Sequence, residues 1–296
     1  MTLLQEAVFV SRGLMTVICA GWQEGFLPQC EKKGAFADAE AGGFRLSMKM
    51  LLISDIHANY DALCAVWKKE GGADLVACAG DVVDYGFNPH ECIAWLREHG
   101  AITVAGNHDR SVRDMILRGG AGQPDENGEI TFAQYNIEHM TQEDRAYICS
   151  LPDETTFSFD GAEYYLTHYY DENRSFDRSL FSYCSRPMFE QIWRERVQTA
   201  QASGCGMRRI IFGHEHQCMQ YLLTRDAQVL NPGSVSYRLG PDGVASKGGD
   251  YMVIRDGEVF LRHVDYETSH LLEFAEKSCL TPFEKANARV FYSTEG

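Results

Sequence analysis

The sequence lacks several features that would place it in a specialised class of protein. Its ten cysteines form no Cys-x-x-Cys pair, so a structural zinc site built from paired cysteines is not expected. Scattered thiols of this kind favour a reducing cytoplasm over a disulfide framework. No hydrophobic run is long enough to span a bilayer, and no internal repeat is visible. We therefore expect a cytoplasmic globular protein without membrane association.

Basic residues are scarce relative to acidic ones. The chain has 27 Lys and Arg against 42 Asp and Glu, which gives a net charge of −15 at pH 7. A surface of that sign repels polyanions, so stable nucleic-acid binding is not expected. A small phosphorylated substrate is still compatible with this charge, because bound cations can make the electrostatic potential positive near the site. The sequence leaves open whether the protein forms a homo-oligomer.

The first 47 residues differ from those that follow. They have no sustained hydrophobic period and contain a run of small residues over 35–43. We expect residues 1–47 to be a mostly disordered extension or a misassigned start, rather than a functional arm, and residues 48–296 to be the main domain. The apolar stretch 14–20 is short and lacks a good cleavage site, so a secretion signal is disfavoured.

Strand and helix patterns alternate from Met48 onward, which predicts an α/β fold. Strands are expected at 51–53, 74–79, 101–105, 155–159, 164–167, 209–212, 228–230, 251–254 and 259–264. Helices are expected at 59–70, 89–98, 132–150 and 188–201, with one more after residue 270.

Five of the predicted strands end in a polar cluster. The clusters are Asp55-Ile56-His57, Gly80-Asp81, Gly106-Asn107-His108-Asp109, Thr167-His168 and Gly213-His214-Glu215-His216. Taken singly, such residues are most often helix caps, turn residues or buried histidines. Together they can converge, because ligands bind beyond the carboxyl ends of strands in open α/β sheets. Carboxylates and imidazoles at such an edge indicate a site for two divalent metal ions.

These clusters resemble the motifs of the calcineurin-like metallophosphoesterase superfamily, and most closely its prokaryotic phosphodiesterase-like group. The family pattern is D-x-H, G-D-x-x-D, G-N-H-(D/E), a lone His and G-H-x-H, and all five blocks occur here in order between Asp55 and His216. The resemblance covers residues 48 to 265 or so. It implies two facing mixed β-sheets flanked by helices, as a four-layer α/β/β/α sandwich.

The resemblance also implies a role for each motif residue. One metal ion would be held by Asp55, His57, Asp81 and His216, and a second by Asn107, His168 and His214, with Asp81 bridging the two. Manganese is favoured among Mn, Fe, Co, Ni and Zn, and a metal-bridging hydroxide would be the nucleophile. His108 would protonate the leaving oxygen, with Asp84 orienting it. Asn107, His108 and Arg110 would bind the substrate.

Other residues near the motifs have more than one interpretation. Asp109 would either support the site or cap a helix that begins near Arg110. Arg238 is a second candidate to grip phosphate. The Asn-Pro-Gly-Ser stretch at 231–234 favours an ordinary β-turn. The aromatic stretch 169–183 would be either a lid that stacks a base or a loop packed on the core.

One departure from the family narrows the function. Tyr85 stands where the protein-phosphatase branch has a phosphate-binding arginine, so a protein phosphatase and the bacterial diadenosine tetraphosphatase type are disfavoured. We expect a dinuclear-metal-dependent hydrolase of phosphomonoesters or phosphodiesters, with small or nucleotide-like substrates. The alternatives are a nuclease or dinucleoside polyphosphate hydrolase. A non-catalytic interaction module is less favoured, because no motif ligand is missing.

Overall fold

The structure is a computed structural model that describes residues 47–169, 185–197, 206–239, 245–246 and 248–292. The predicted extension, most of the aromatic stretch after Tyr169 and the end of the helix predicted to reach residue 201 lie outside these residues. Within the described part of the chain, no helix combines the length and apolar character needed to cross a membrane.

The described residues form eight α-helices and twelve β-strands. The helices are α1 (Tyr60–Glu70), α2 (Pro89–Glu98), α3 (Asn107–Leu117), α4 (Phe132–His139), α5 (Gln142–Ser150), α6 (Arg186–Arg196), α7 (Ser269–Lys277) and α8 (Pro282–Tyr292). The strands are β1 (Lys49–Ile53), β2 (Leu75–Cys78), β3 (Ile102–Thr103), β4 (Glu154–Phe159), β5 (Ala162–Thr167), β6 (Arg208–Ile211), β7 (Cys218–Thr224), β8 (Ala227–Pro232), β9 (Arg238–Leu239), β10 (Ala245–Ser246), β11 (Gly249–Arg255) and β12 (Glu258–Val264).

Ten of the strands form two mixed five-stranded sheets. The first has the order β12-β11-β1-β2-β3, in which β1, β2 and β3 run parallel and β11 pairs with β1 antiparallel. The second has the order β4-β5-β6-β8-β7, in which β5, β6 and β8 run parallel. Strands β9 and β10 form a separate two-stranded ribbon. Each large sheet therefore presents the carboxyl ends of three parallel strands at one edge.

The alternation of side chains along the strands builds a layered core. On β1, Met50 and Leu52 lie in a buried cluster with Leu166 of β5 and Leu230 of β8, between the two sheets. Leu51 and Ile53 lie in a second cluster with residues of α1 and α2. The far face of the second sheet packs against α6 through Phe189, Ile192 and Trp193. Two facing mixed sheets flanked by helices confirm the predicted fold class.

Several elements differ from the sequence prediction, including strands β9 and β10, for which no strand was predicted. The helix predicted over 132–150 is two helices, because Thr141 interrupts it and caps α5 by accepting a hydrogen bond from the Asp144 backbone N–H at 3.1 Å. Strand β7 was not predicted; it is an edge strand with exposed apolar residues, of which Leu222 is 64% exposed. The single helix predicted after residue 270 is also two, α7 and α8.

Candidate metal centre and active site

The polar clusters lie where parallel strands end, and hydrogen bonds connect the ends of these strands. Asp55 follows β1, and its Oδ2 accepts a hydrogen bond from the His214 backbone N–H, beyond β6, at 3.1 Å. The Gly213 N–H in turn donates to the His168 carbonyl, beyond β5, at 2.9 Å. The structure therefore brings residues of both sheets into one site.

The first group of ligand-type atoms comprises Asp55, His57 and His216. Their ligand atoms lie within 4.8 Å of one another, and all three residues are buried. His216 Nε2 lies 3.2 Å from His57 Nε2 and 3.1 Å from Asp55 Oδ1. The His216 contact is not directed as a hydrogen bond, so Asp55 Oδ1 has no hydrogen-bond partner, and an unsatisfied buried carboxylate oxygen is costly. A divalent cation would satisfy it, so these residues fit a metal ion.

The second group comprises Asp81, His168 and His214, joined by the side chain of Asn107. Asn107 Oδ1 lies 3.0 Å from His168 Nε2 and 2.8 Å from His214 Nδ1. Asp81 Oδ2 lies 3.1 Å from the same His168 nitrogen. The Ala79 carbonyl lies 2.6 Å from His168 Nδ1 and so fixes that nitrogen as a donor, which turns Nε2 inward. Four donor atoms thus converge on a second point.

Two glycines permit this close approach. A Cβ on Gly106 would lie 2.0 Å from Asp81 Oδ1 and 2.5 Å from the Asp81 backbone nitrogen. A Cβ on Gly213 would lie 2.0 Å from Ser54 Oγ and 2.8 Å from Asp55 Oδ2. Both positions therefore exclude side chains, because Asp81 occupies the space at Gly106, and Ser54 and Asp55 occupy it at Gly213.

The backbone at the site is strained. A positive φ is uncommon outside glycine, and such residues concentrate at functional sites when the surrounding structure holds them in place. Here the left-handed region is occupied by Asp55, His57, Asp81, Asp84, Tyr85, His214 and His216. These turns point successive side chains of one loop into a common space.

The charges of the two groups influence one another. Burial opposes ionisation of Asp81, but the His168 and His108 imidazoles outweigh it and hold the pKa of that carboxyl well below its usual range. Burial and the nearby His108 charge lower the pKa of His57 to about 3. An ionised carboxylate and a neutral imidazole are the forms that bind metal ions.

His108 lies beside the two groups and has a carboxylate partner. Its Nδ1 is 2.7 Å from Asp84 Oδ2, and its backbone N–H donates to Asp81 Oδ1 at 2.9 Å. Its side chain is 21% exposed, whereas the predicted ligands Asp55 and His57 are fully buried. Burial opposes protonation of His108, but the carboxylates of Asp81 and Asp84 outweigh it and raise its pKa to about 9.

Asp109 connects two motif loops. Its Oδ1 accepts hydrogen bonds from the Val82 and Val83 N–H groups at 2.9 and 3.1 Å, and its Oδ2 accepts one from the Gly106 N–H at 2.9 Å. Asp109 therefore supports the site and also lies in the first turn of α3, so both roles considered from the sequence apply. The helix begins at Asn107 rather than near Arg110.

The Asn-Pro-Gly-Ser stretch does more than turn the chain. Asn231 Nδ2 donates to the Gly213 carbonyl at 2.8 Å, and Ser234 Oγ donates to the Asp55 carbonyl at 2.9 Å. The two side chains therefore hold the loops that carry Asp55 and His214. Sequence reasoning missed this role, although the position of the motif soon after G-H-x-H was a signal.

The two arginines named from the sequence differ in their surroundings. Arg110 donates from an Nη to the Tyr169 hydroxyl at 2.8 Å, and the Tyr169 ring lies 5.4 Å from that of His214. Arg110 is thus linked to the second ligand group. Arg238 instead pairs with Asp250 at 3.4 Å, and no described contact links it to a predicted ligand.

The chain is similar to known proteins in its sequence and in its fold. The family model of the calcineurin-like phosphoesterase superfamily domain matches residues 48–247. A curated uncharacterized protein of Methanocaldococcus jannaschii is 46% identical over 63 residues, which are 21% of this chain and 26% of that protein. The match therefore spans about a quarter of the curated relative.

Two solved structures share the fold. A metallophosphoesterase from Sphaerobacter thermophilus superposes with a TM-score of 0.58 at 21% identity, covering 82% of this chain and 98% of that one. A hypothetical protein from Pyrococcus horikoshii OT3 superposes with a TM-score of 0.63 at 16% identity, covering 84% of this chain and 100% of that one. At these identities the likeness concerns the fold alone.

Proposed function

Because the chain belongs to the calcineurin-like phosphoesterase superfamily, we propose that it is a phosphoric ester hydrolase that uses two divalent metal ions to cleave small, nucleotide-like phosphomonoesters or phosphodiesters. The superfamily resemblance seen in the five motifs is thereby confirmed. The observation that carries the finer proposal is the pair of adjacent ligand groups, Asp55 with His57 and His216, and Asp81 with His168 and His214.

The two groups would hold one ion each. Asn107 would add its amide oxygen to the second group, and Asp81 would bridge the ions. Carboxylate, imidazole and amide donors suit Mn, Fe, Co, Ni or Zn, and manganese is the ion that we propose first. When bound, such ions would acidify a shared water and neutralise charge on the phosphoryl oxygens.

His108 would donate a proton to the leaving oxygen. With its Nδ1–H donating to Asp84, the ring presents Nε2 as its other proton-bearing nitrogen. A pKa raised to about 9 keeps the imidazole charged at neutral pH, so the proton is available. Asp84 would then act as a positioning residue that fixes the ring and stabilises its charge.

Three residues would bind the phosphoryl group. Arg110 offers a guanidinium whose side chain is 26% exposed and whose Nε lies 3.1 Å from Asp153 Oδ1. Its contact with Tyr169 directs it toward the second ligand group. Together with Asn107 and His108, it would hold the phosphoryl oxygens by charge-assisted hydrogen bonds.

The proposal is tested with the purified full chain, stripped with a chelator and reloaded with Mn²⁺. We expect about two ions per chain by elemental analysis, and metal-dependent hydrolysis of p-nitrophenyl phosphate or its bis ester. His270→Ala is a matched control, because the His270 side chain is 56% exposed and pairs with Asp61. If the Mn²⁺-loaded chain cleaves neither ester, the proposal fails.

A substrate panel separates this proposal from its alternatives. Mononucleotides, cyclic nucleotides, dinucleoside polyphosphates and oligonucleotides would be compared by kcat/KM. The net charge of −15 supports a small substrate over a nucleic acid. Efficient cleavage of oligonucleotides above all others would instead support a nuclease.

The cellular setting is part of the proposal. We propose that residues 48–296 form the catalytic domain, that residues 1–47 lie outside it, and that the protein works in the cytoplasm. The cysteines of the described residues are free thiols, which supports a reducing compartment: Cys64, Cys78, Cys92, Cys149, Cys218 and Cys279.

A further inference from the structure

Three aromatic side chains, Tyr85, Tyr237 and Phe291, form one side of the candidate site. We call them the aromatic wall. The Tyr237 ring stacks on that of Phe291 with centroids 4.1 Å apart, and the Phe291 ring lies 5.1 Å from that of Tyr85. These residues come from three distant parts of the chain, so the wall exists only in the folded protein.

The aromatic wall contacts the histidines of the site directly. The Tyr85 ring lies 4.5 Å from that of His108 and 5.2 Å from that of His57. The Tyr237 ring lies 4.5 Å from that of His216. The wall is therefore on the side of the first ligand group, whereas Arg110 and Tyr169 are on the side of the second.

Helix α8 places Phe291 in the wall and is fixed to a motif loop. The neighbouring Tyr292 is 1% exposed, and its hydroxyl donates to the Tyr85 carbonyl at 2.9 Å. Tyr85 itself has a φ of 63°, which turns its ring toward His108. Tyr237 is 6% exposed, while Tyr85 and Phe291 are both partly exposed. The wall thus keeps accessible ring surface next to the proposed acid.

The position of His108 determines which part of the substrate would contact the aromatic wall. If His108 gives its proton to the leaving oxygen, the group carried by that oxygen lies next to the His108 ring. The partly exposed ring in contact with His108 is Tyr85, and Phe291 extends the same surface outward. Planar aromatic groups gain about 1–3 kcal/mol by stacking on such side chains, largely independently of base identity.

We propose that the aromatic wall is the leaving-group subsite and that it binds the base of a nucleoside ester by stacking. This inference rests on the proposed function, since it places the leaving group beside His108. It gives helix α8 a part in substrate selection, beyond the segment that matches the family model.

The test uses two phosphate esters that differ only in the base. Adenosine 5′-monophosphate and ribose 5-phosphate have the same primary ester oxygen, and their methyl diesters extend the pair to diesterase activity. We expect the Mn-loaded wild-type chain to prefer the adenosine ester by about tenfold in kcat/KM.

Phe291 is the residue to change. Among the described ring contacts it meets Tyr85, Tyr237 and Tyr292, and none of the predicted ligands. Phe291→Leu keeps apolar volume and removes the ring, and Phe291→Tyr keeps the ring. Phe283→Leu is the matched control, because Phe283 is on the same helix and 72% exposed.

We expect Phe291→Leu to reduce the preference for adenosine about fivefold or more, and Phe291→Tyr and Phe283→Leu to retain it. The melting temperature and metal content of each variant show whether the fold is kept. An adenosine preference that survives unchanged in a folded Phe291→Leu variant overturns the inference.

A second readout does not depend on turnover. Saturation-transfer NMR with free adenosine should show transfer to its base protons in the wild type, reduced in Phe291→Leu. If no ester is hydrolysed, the proposed function fails, and the NMR result still decides whether the wall binds a base. If both esters are hydrolysed at equal rates and adenosine shows no saturation transfer to its base protons, the proposed subsite on the aromatic wall fails while the proposed function stands.

Discussion

The His108 imidazole is held by a carboxylate, Asp84, whose Oδ2 lies 2.7 Å from Nδ1. An acid so placed matters most when the leaving group is a poor one. We predict that His108→Asn lowers kcat for an alkyl phosphate ester by roughly 10²- to 10⁴-fold. It should affect a p-nitrophenyl ester much less, because p-nitrophenolate departs without a proton.

The measurement is kcat for the two esters in the wild type and in His108→Asn, with metal content determined in parallel. His108 is not among the predicted ligands, so the variant should keep its metal ions. An equal loss for both esters, or a loss of metal, would contradict the role of proton donor.

Gly106 is a residue where a single methyl group should disable the site. Its Cβ would lie 2.0 Å from Asp81 Oδ1, so Gly106→Ala must displace the proposed bridging carboxylate. We predict loss of metal binding and activity. Gly71→Ala is the control: a Cβ there meets no atom within 4 Å, although its φ of 67° should cost about 1–2 kcal/mol of stability.

Calorimetric titration with Mn²⁺ and circular dichroism melts distinguish the two effects. Gly71→Ala should bind metal normally and melt at a lower temperature. If Gly106→Ala binds metal with unchanged affinity, the close packing of Asp81 against the α3 N-terminus is not needed for the site.

At the scale of single residues, the sequence predicted the positions that local motifs identify. Each of the seven expected ligands lies a few residues beyond a strand or opens the next helix, and the structure brings all of them together. Their roles as ligands stay a prediction. The supporting roles of Asn231 and Phe291 were not predicted, because their contacts join loops and a helix far apart in the chain.

Helix α5 illustrates how an element can depend on one carboxylate. Asp144 accepts hydrogen bonds from the Thr141 hydroxyl at 2.6 Å, from His90 Nδ1 at 2.8 Å and from the Thr141 N–H at 2.8 Å. Burial opposes ionisation of Asp144, but these hydrogen bonds outweigh it and lower the pKa of its carboxyl. We predict that Asp144→Ala costs about 1 kcal/mol of stability at neutral pH, through loss of the capping box.

The pH dependence follows from the lowered pKa of Asp144. The unfolded carboxyl binds protons more readily than the folded one, so the stabilisation is complete above the ordinary aspartate pKa of 3.8 and is lost as pH falls through the lower, folded value. Urea unfolding at several pH values measures it. The difference between wild type and variant should shrink in acid, and a constant difference would contradict the argument.

The boundaries of elements were less predictable than their existence. The apolar pattern of 132–150 continues through residue 140, and it conceals the Thr-x-x-Asp signal at which α5 begins. Strand β7 exposes Tyr221 and Leu222, so it lacks the buried alternation by which strands are recognised. Edge strands take their structure from the neighbouring strand, here β8.

At the scale of the whole molecule, stability should depend on two carboxylates that are buried in the candidate metal centre. Asp55 and Asp81 are both buried; burial and the Asp81 charge oppose ionisation of Asp55, but the nearby histidines, His216 first, outweigh them and lower its pKa to about 2. We predict that Mn²⁺ at about a hundred times its dissociation constant raises the melting temperature by roughly 5–10 °C, because ligands that bind the native state add about 2.7 kcal/mol at that concentration.

Differential scanning calorimetry with and without a chelator measures this shift. Asp55→Asn should reduce it strongly, whereas Asp61→Asn, at an exposed carboxyl on α1, should keep it. A metal-induced shift that survives in Asp55→Asn would place the stabilising ion elsewhere.

The layered architecture was predicted through the motifs rather than through the strands themselves. Alternating strand and helix patterns establish an α/β class, but they do not say which strands are neighbours. Sheet order depends on pairings such as β1 with β11, and no local pattern in Met50 or Ile254 encodes a partner at that distance.

The pairing of β1 with β11 has a consequence for folding during synthesis. Leu52 of β1 lies opposite Met252 of β11, so the strand at the middle of the first sheet lacks one neighbour until about 200 more residues have left the ribosome. At about 5–20 residues per second, the wait is on the order of 10 to 40 seconds. During synthesis the apolar face of β1 and its open hydrogen-bonding edge are therefore exposed, and this interval is when the nascent chain most needs a chaperone.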